Sequence, residues 1–171
     1  MAGYVIIIAI MNYRGFTIVE LLIVIVVIAI LAAIAIVSYN GIQSRANDTA
    51  VQNDLNNFAK KMELYKVDNG TYPHDSTNFN YSLGISFSRS AYGYDVQSSN
   101  LNYCHNSVTD QYVIVANSKS GKYFQYMSND GLRLASSSDY GWNVCGKVGI
   151  GSTNPSPRGV TGGTTWASWV N

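Results

Sequence analysis

The first residue with chemistry to explain is Glu20, a carboxylate near the start of a long apolar run. Residues 16–37 read FTIVELLIVIVVIAILAAIAIV, and only Thr17 and Glu20 interrupt 22 otherwise apolar positions. A charged side chain inside a membrane helix costs about 2.5–3.5 kcal/mol on insertion scales, so it usually has a partner and a function. The cost falls near the helix start, where the dipole favours negative charge. Glu20 is therefore either a residue at the lipid headgroup level or a group that requires a specific partner.

Two cysteines, Cys104 and Cys145, and two histidines, His74 and His105, are the other candidates for chemistry. An even cysteine count in an external region favours a disulfide, which would contribute on the order of 4 kcal/mol by chain-entropy estimates. Two buried thiols or a metal site are the alternatives, and the histidine spacing argues against the metal. Because no catalytic triad, phosphate loop, zinc motif or dinucleotide fingerprint is recognisable, we expect no enzyme activity, no metal and no cofactor.

The composition bounds the class of protein. The chain has 171 residues, 47% of them apolar and only 12% charged, with a formal net charge of +1. Low hydrophobicity with high charge, the signature of disorder, is therefore absent. The balanced charge also leaves no basic surplus for a phosphate backbone, so a nucleic acid is not expected as the primary partner.

Glu20 lies near the start of a predicted membrane helix. A helix over residues 16–37 would span about 33 Å, which matches the hydrocarbon core of a bilayer. Arg14 precedes the run and favours a cytoplasmic amino terminus with an external carboxyl-terminal domain. Arg45 on the other flank weakens this charge bias.

The flanking residues carry a specific motif. Residues 14–21, RGFTIVEL, stand directly before the apolar run, and this arrangement resembles the class III signal of type IV pilins and pseudopilins. The resemblance implies that prepilin peptidase cuts after Gly15 and methylates the new amino group of Phe16. It also implies that Glu20, at the fifth mature position, pairs with the Phe16 amine of an adjacent subunit during filament assembly.

The resemblance makes residues 1–15 a leader, although residues 1–10 are apolar where pilin leaders are usually short and basic. We therefore expect translation to start at Met11, or the upstream residues to be removed with the leader. A secretory signal peptidase cutting near Ala32 and Ala33 is the weaker alternative.

The second half of the helix, residues 38–67, changes from uniformly apolar to amphipathic. Apolar residues recur every three or four positions at Val51, Leu55, Phe58, Met62 and Tyr65, which is typical of a helix with one buried stripe. Gly41 costs only about 1 kcal/mol, so we expect one helix of about fifty residues, capped by Gly70 and stopped before Pro73. The segment 65–73, YKVDNGTYP, again resembles the helix end of pilins.

Residues 68–171 are predicted to form a globular head. Residues 74–100 are assigned to loops with short elements, and three antiparallel strands are predicted, at 111–116, 122–127 and 132–135, separated by glycine-containing turns. One face of this sheet would bury the helix stripe. The result is an α+β, pilin-like fold in which a long N-terminal helix packs on a small antiparallel sheet.

The carboxyl-terminal part gives weaker signals. Residues 146–165 are rich in Gly, Ser, Thr and Pro and are predicted to be loop, with Trp166 and Trp169 docking on the head or on a neighbouring subunit. The turn at Asp130 is interpreted as a hairpin rather than a calcium site. The thirteen tyrosines are expected mainly to pack in the core rather than to form an adhesive surface.

The sequence thus predicts a structural subunit of a type IV pilus, made as a single-pass protein of the cytoplasmic membrane and assembled into an extracellular homo-oligomeric filament for adhesion or motility. Its partners would be the membrane, prepilin peptidase and the pilus assembly machinery. One alternative is a pseudopilin of a type II secretion or DNA-uptake machine. The other is a membrane-tethered surface protein that never polymerises.

Overall fold

The computed structural model describes residues 15–74, 84–93 and 100–150, together with the backbone of 160–161 and 165–166. The predictions for the leader, including Met11 and Arg14, and for Trp169 lie outside the described residues. The helices are α1 (Ile18–Asn69) and three short 3₁₀ segments, η1 (Arg89–Ala91), η2 (Ser137–Asp139) and η3 (Gly141–Val148). The strands are β1 (Leu101–Asn106), β2 (Gln111–Asn117), β3 (Tyr123–Met127), β4 (Gly131–Ala135), β5 (Val160–Thr161) and β6 (Thr165–Trp166). The chain divides into two compact units, with the boundary between Asn40 and Gly41.

Helix α1 confirms the prediction of a single element of about fifty residues. It contains 52 residues and runs through Gly41, where a Cβ would meet nothing within 4 Å. The helix ends at Asn69, and Gly70 follows with φ at 80°. The Gly70 amide donates to the Lys66 carbonyl at 2.7 Å, which closes the last turn in the way that favours glycine.

The first unit contains the apolar part of α1. Among the described residues, α1 is the one helix long and apolar enough to cross a membrane, and none of its most apolar window is buried within the chain. The large apolar side chains between residues 16 and 37 are exposed by 47% to 87%. Such a surface is stable only against lipid or other apolar surfaces.

The second unit is organised around a four-stranded antiparallel sheet with strand order β1-β2-β3-β4. The three strands predicted from the sequence correspond to β2, β3 and β4, with Val113 opposite Met127 and Gln125 opposite Arg133. Strand β1, which the sequence did not predict, pairs with β2 from Leu101 opposite Ala116 to Asn106 opposite Gln111. Its sequence LNYCHN contains asparagines that disfavour strands.

One core lies between α1 and the sheet. The predicted stripe residues Val51, Leu55, Phe58 and Met62 are fully buried, and Tyr65 packs against them as a half-buried side chain. The sheet contributes alternate residues, among them Leu101, Tyr103, Tyr112, Ile114, Ala116 and Phe124. The apolar residues that recur every second position in the strands and every three or four positions in the helix therefore form one apolar layer.

The opposite face of the sheet is also covered, which explains why every residue of β1 is buried. Cys104 and Cys145 form the predicted disulfide, with their Cα atoms 5.2 Å apart. Both cysteines belong to a second apolar cluster that joins Val113 and Val115 of β2 to Val144 of η3. The disulfide therefore holds η3 against the sheet face that α1 does not cover.

Two buried aspartates of α1 fix the loops that border the sheet. Asp48 accepts hydrogen bonds from Ser118 at 2.7 Å and from Ser120, and pairs with Lys122 at 2.8 Å. Although burial opposes ionisation, the bonds from Lys122 and the two serines lower the pKa of Asp48. The carboxylate thereby ties the β2–β3 turn to the helix.

Asp54 holds the segment 84–93 in the same way. It accepts bonds from the Ser88 amide at 2.6 Å and the Tyr92 hydroxyl at 3.2 Å. Burial raises the pKa of Asp54 in spite of these bonds. Close by, the Gly93 amide donates to the Asn117 carbonyl at 2.8 Å, so this segment is fixed both to α1 and to the sheet.

A third aspartate, Asp110, connects the end of α1 to the β1–β2 turn. Its φ of 48° is the only positive value among described residues other than glycine. One oxygen receives Thr71 at 2.7 Å and lies 3.0 Å from Nε2 of His105, while the other pairs with Lys66 at 2.8 Å. Burial works against ionisation, yet these partners and the Tyr72 amide hold the pKa of Asp110 well below its usual range.

The carboxyl-terminal prediction is partly wrong. Residues 146–148 complete η3, and Val160 and Thr161 form β5, which pairs antiparallel with β6. The pairing of β5 with β6 shows that a segment rich in turn-forming residues still contains a short hairpin. The side chain of Trp166 is not among those described.

Candidate processing and assembly site

The predicted cleavage site lies at the start of α1. Gly15 and Phe16 precede the helix and are exposed, Phe16 by 87%. A Cβ on Gly15 would meet nothing within 4 Å, so the fold does not require glycine at this position. A glycine here leaves the backbone open to close approach from outside.

Thr17 and Glu20 close the amino end of α1 reciprocally. The amide and the Oγ1 hydroxyl of Thr17 both donate to Oε2 of Glu20 at 2.9 Å. In return the Glu20 amide donates to Thr17 Oγ1 at 3.2 Å. This is a capping box, in which a threonine at the helix cap and a glutamate three residues later satisfy two unpaired amides.

The cap fixes where the carboxylate points. Glu20 reaches back to Thr17, the residue that precedes the helix, and accepts a hydrogen bond from the amide of the Phe16–Thr17 peptide bond. Its charge therefore lies one residue from the Gly15–Phe16 bond. Only Oε2 takes part in the cap, and Oε1 receives no hydrogen bond from the described residues. A carboxylate oxygen can accept further donors, so Oε1 is available to a cation or an amine from outside the chain.

Sequence reasoning placed Glu20 but missed Thr17. The signal was present, because T-x-x-E directly before an apolar run is the pattern of a capping box. The structure shows that the two side chains act together.

Comparison with known proteins agrees with this geometry. Residues 6–36, which include Gly15 and Glu20, match the family described as "Prokaryotic N-terminal methylation motif". The chain is 40% identical over 94 residues to the "Type IV wide pilus major component PilA4" of Thermus thermophilus, a match covering 54% of this chain and 71% of that protein.

Shorter similarities connect the chain to secretion proteins. It is 35% identical over 60 residues to the "Type II secretion system core protein G" of Klebsiella pneumoniae, covering 35% of this chain and 43% of that protein. The protein of the same name from Escherichia coli is 33% identical over 60 residues, covering 35% and 41%. The chain therefore spans less than half of these secretion relatives.

An exposed apolar helix with a Thr17–Glu20 capping box at its start and a small α+β head are the features of a membrane-anchored filament subunit. With its methylation motif and its similarity to PilA4, the chain belongs to the type IV pilin and pseudopilin family. The apolar part of α1 anchors the precursor in the membrane, as the sequence predicted.

Proposed function

We propose that this chain is a structural subunit of an extracellular type IV pilus and has no catalytic activity of its own. The observation that supports this choice within the family is the extent of similarity to the pilus component. That match covers 94 residues, more than the 69 residues that precede and include the end of α1. The similarity must therefore reach into the head, beyond the helix that carries the methylation motif.

The first step of maturation is cleavage after Gly15, followed by methylation of the Phe16 amine. Cutting there keeps the whole apolar helix in the mature subunit, unlike removal of a secretory signal peptide. It also leaves a positively charged amino group one residue before Thr17, close to the capping box.

Glu20 then acts during assembly. We propose that Oε1 of Glu20, which the cap leaves available, pairs with the Phe16 amine of a neighbouring subunit as α1 moves from lipid into the filament. Such an ion pair is favourable only when both charges meet in good geometry, and a buried charge without its partner costs about 3–5 kcal/mol. Mismatched subunits would therefore be rejected, and the pair would set the register of the helices.

The similarity to core protein G supports a second candidate, a pseudopilin of a type II secretion system. Those matches of 60 residues are no longer than the 69 residues up to the end of α1, so, unlike the match to the pilus component, they do not need to include the head. They favour the family without favouring the secretion role.

Electron microscopy of cells that express the chain at native level, before and after shearing, separates the candidates. A pilus subunit gives long surface fibres that label with an antibody against the head. Fibres confined to the envelope, or appearing only on overexpression, support the pseudopilin. Label that stays on the membrane in every condition contradicts both filament roles and supports a tethered surface protein.

A further inference from the structure

A polar groove runs along the head between α1 and strand β3. Its volume is about 500 Å³, within the range of about 300–1,000 Å³ typical of small-molecule sites. The side chains that line it and can contact a ligand through polar or aromatic groups are Asn53, Asn56, Asn57, Lys60, Glu63 and Tyr126.

The groove offers hydrogen-bonding groups that the fold does not use. The side-chain amides of Asn53, Asn56 and Asn57 make no hydrogen bond with the described residues, and no described carboxylate pairs with Lys60. Glu63 accepts one bond, at 2.7 Å from the Tyr72 hydroxyl, through Oε1. Each asparagine amide carries two donor hydrogens and an acceptor oxygen. Such a mixture matches a ligand whose groups both donate and accept, as sugar hydroxyls do.

One wall of the groove is a braced aromatic ring. Tyr126 is half-buried and stacks on Tyr112, with centroids 6.3 Å apart and an interplanar angle of 11°. Tyr112 in turn stacks on Tyr103 at 5.8 Å, so Tyr126 is supported from behind. A ring held in this way presents a fixed apolar face beside polar groups. The C–H face of a pyranose is the complement of that surface.

A buried tyrosine supports the same wall. Tyr112 is fully buried, and its hydroxyl has no hydrogen-bond partner among the described residues. The Tyr112 ring stacks on Tyr126 but is not part of the groove lining. Tyr112 therefore holds Tyr126 in place, and contacts with a ligand fall to the lining residues.

The charged residues of the groove indicate which class of ligand it can bind. Lys60 and Glu63 are opposite charges one helical turn apart, so the groove has no net charge to attract a polyanion. The lining is also a poor protein interface, because interface cores are depleted in Lys and Glu.

We propose that this groove binds a neutral oligosaccharide, with the asparagine amides on its hydroxyls and Tyr126 against a sugar ring. The proposal goes beyond filament assembly and does not depend on it.

The test uses the full chain purified in detergent micelles, before any polymerisation. A printed array carries neutral hexose and N-acetylhexosamine oligosaccharides, sialylated and sulfated oligosaccharides, and single-stranded DNA. The neutral trisaccharide with the strongest signal is then titrated calorimetrically against wild type and variants. Asn53→Ala with Asn57→Ala removes two amides and keeps the fold, because alanine is the better helix former. Lys61→Ala is the matched control, since it changes the neighbouring lysine outside the groove lining.

We expect binding of neutral oligosaccharides, and the double alanine variant should weaken it about 10- to 100-fold, which corresponds to the loss of two hydrogen bonds. Tyr126→Phe should retain binding and Tyr126→Leu should lose it, with Lys61→Ala unchanged. No neutral signal above background, binding that the double variant retains, or preference for acidic glycans or DNA overturns the proposal. None of these results bears on whether the chain polymerises.

Discussion

Glu20 is hydrogen bonded to Thr17 at the amino end of α1, with two contacts of 2.9 Å to a single carboxylate oxygen. The acid is therefore not an isolated charge in an apolar helix. Part of the free-energy cost of placing this carboxylate in the membrane is offset within the chain, because the cap satisfies amides that would otherwise be unpaired in lipid. The cap therefore explains how the precursor can remain in the membrane with the ionisable Glu20 near the start of its transmembrane helix.

Two substitutions separate the helix cap formed by Thr17 and Glu20 from the charge that Glu20 supplies to assembly. Thr17→Ala removes the hydroxyl, costs about 1 kcal/mol at the helix end and leaves the carboxylate in place. Glu20→Gln removes the charge. We expect both variants to reach the membrane fraction at wild-type level, with filament yield strongly reduced for Glu20→Gln and only mildly for Thr17→Ala. Quantitative immunoblots of sheared filaments and membranes measure both outcomes.

Thr17→Ser is the matched control, since serine keeps the hydroxyl of the cap. Wild-type filament yield from Glu20→Gln would show that the charge does not set the register. A Thr17→Ala defect as severe as that of Glu20→Gln would show that the cap, rather than the ion pair, is what assembly requires.

The disulfide is expected to stabilise the head substantially. Cys104 and Cys145 are both buried and join β1 to η3. Replacing both with alanine should lower the free energy of unfolding by about 2–5 kcal/mol. Denaturant unfolding of the detergent-solubilised chain, followed by circular dichroism, measures the change. Reduction of the wild type should reproduce it, and equal stability with and without the bond would contradict the role assigned to it.

Asp110 should make the head sensitive to acid. Its pKa is lower in the folded chain than in the unfolded one, so its contribution is complete above the unfolded value of about 3.9 and is lost as pH falls below it. Asp110→Asn should cost about 2 kcal/mol at pH 7, the scale of hydrogen bonds to a charged group. The difference from wild type should shrink in acid. Unfolding from pH 7 to pH 3 tests this, and a difference independent of pH contradicts it.

Two glycines should respond oppositely to alanine. At Gly93 a Cβ would come within 2.8 Å of the Ser118 carbonyl and 2.9 Å of Asn117 Oδ1. Gly93→Ala should therefore destabilise the head by about 1–3 kcal/mol. Gly41→Ala, in open space on α1, should cost nothing and gain up to about 1 kcal/mol. Thermal unfolding of both variants checks the contrast, and a neutral Gly93→Ala would contradict the close approach.

The features of the fold that depend on local sequence were predicted correctly. The stripe that includes Leu55 and Phe58, the cap at Gly70 and the strands β2–β4 follow from periodicity and turn chemistry. Strand β1 could not be predicted because its residues are buried by partners distant in sequence, α1 on one face and η3 on the other. The contacts of Asp110 likewise depend on a left-handed turn that brings Lys66 and His105 to one carboxylate, which no local pattern specifies.

At the predicted site, residue types revealed Gly15 and Glu20, while the geometry added Thr17. The groove beside Tyr126 could not be predicted from the sequence, since it joins about three turns of α1 to one residue of β3. Its asparagines lie on the polar face of α1, and only the sheet supplies the opposite wall.

The most direct measurement is the intact mass and amino-terminal sequence of the chain recovered from sheared filaments. The account predicts a mature protein that begins at Phe16 with one added methyl group and retains the whole of α1. A chain recovered with Gly15 still joined to Phe16, or cut after the apolar run near Ala33, would contradict it.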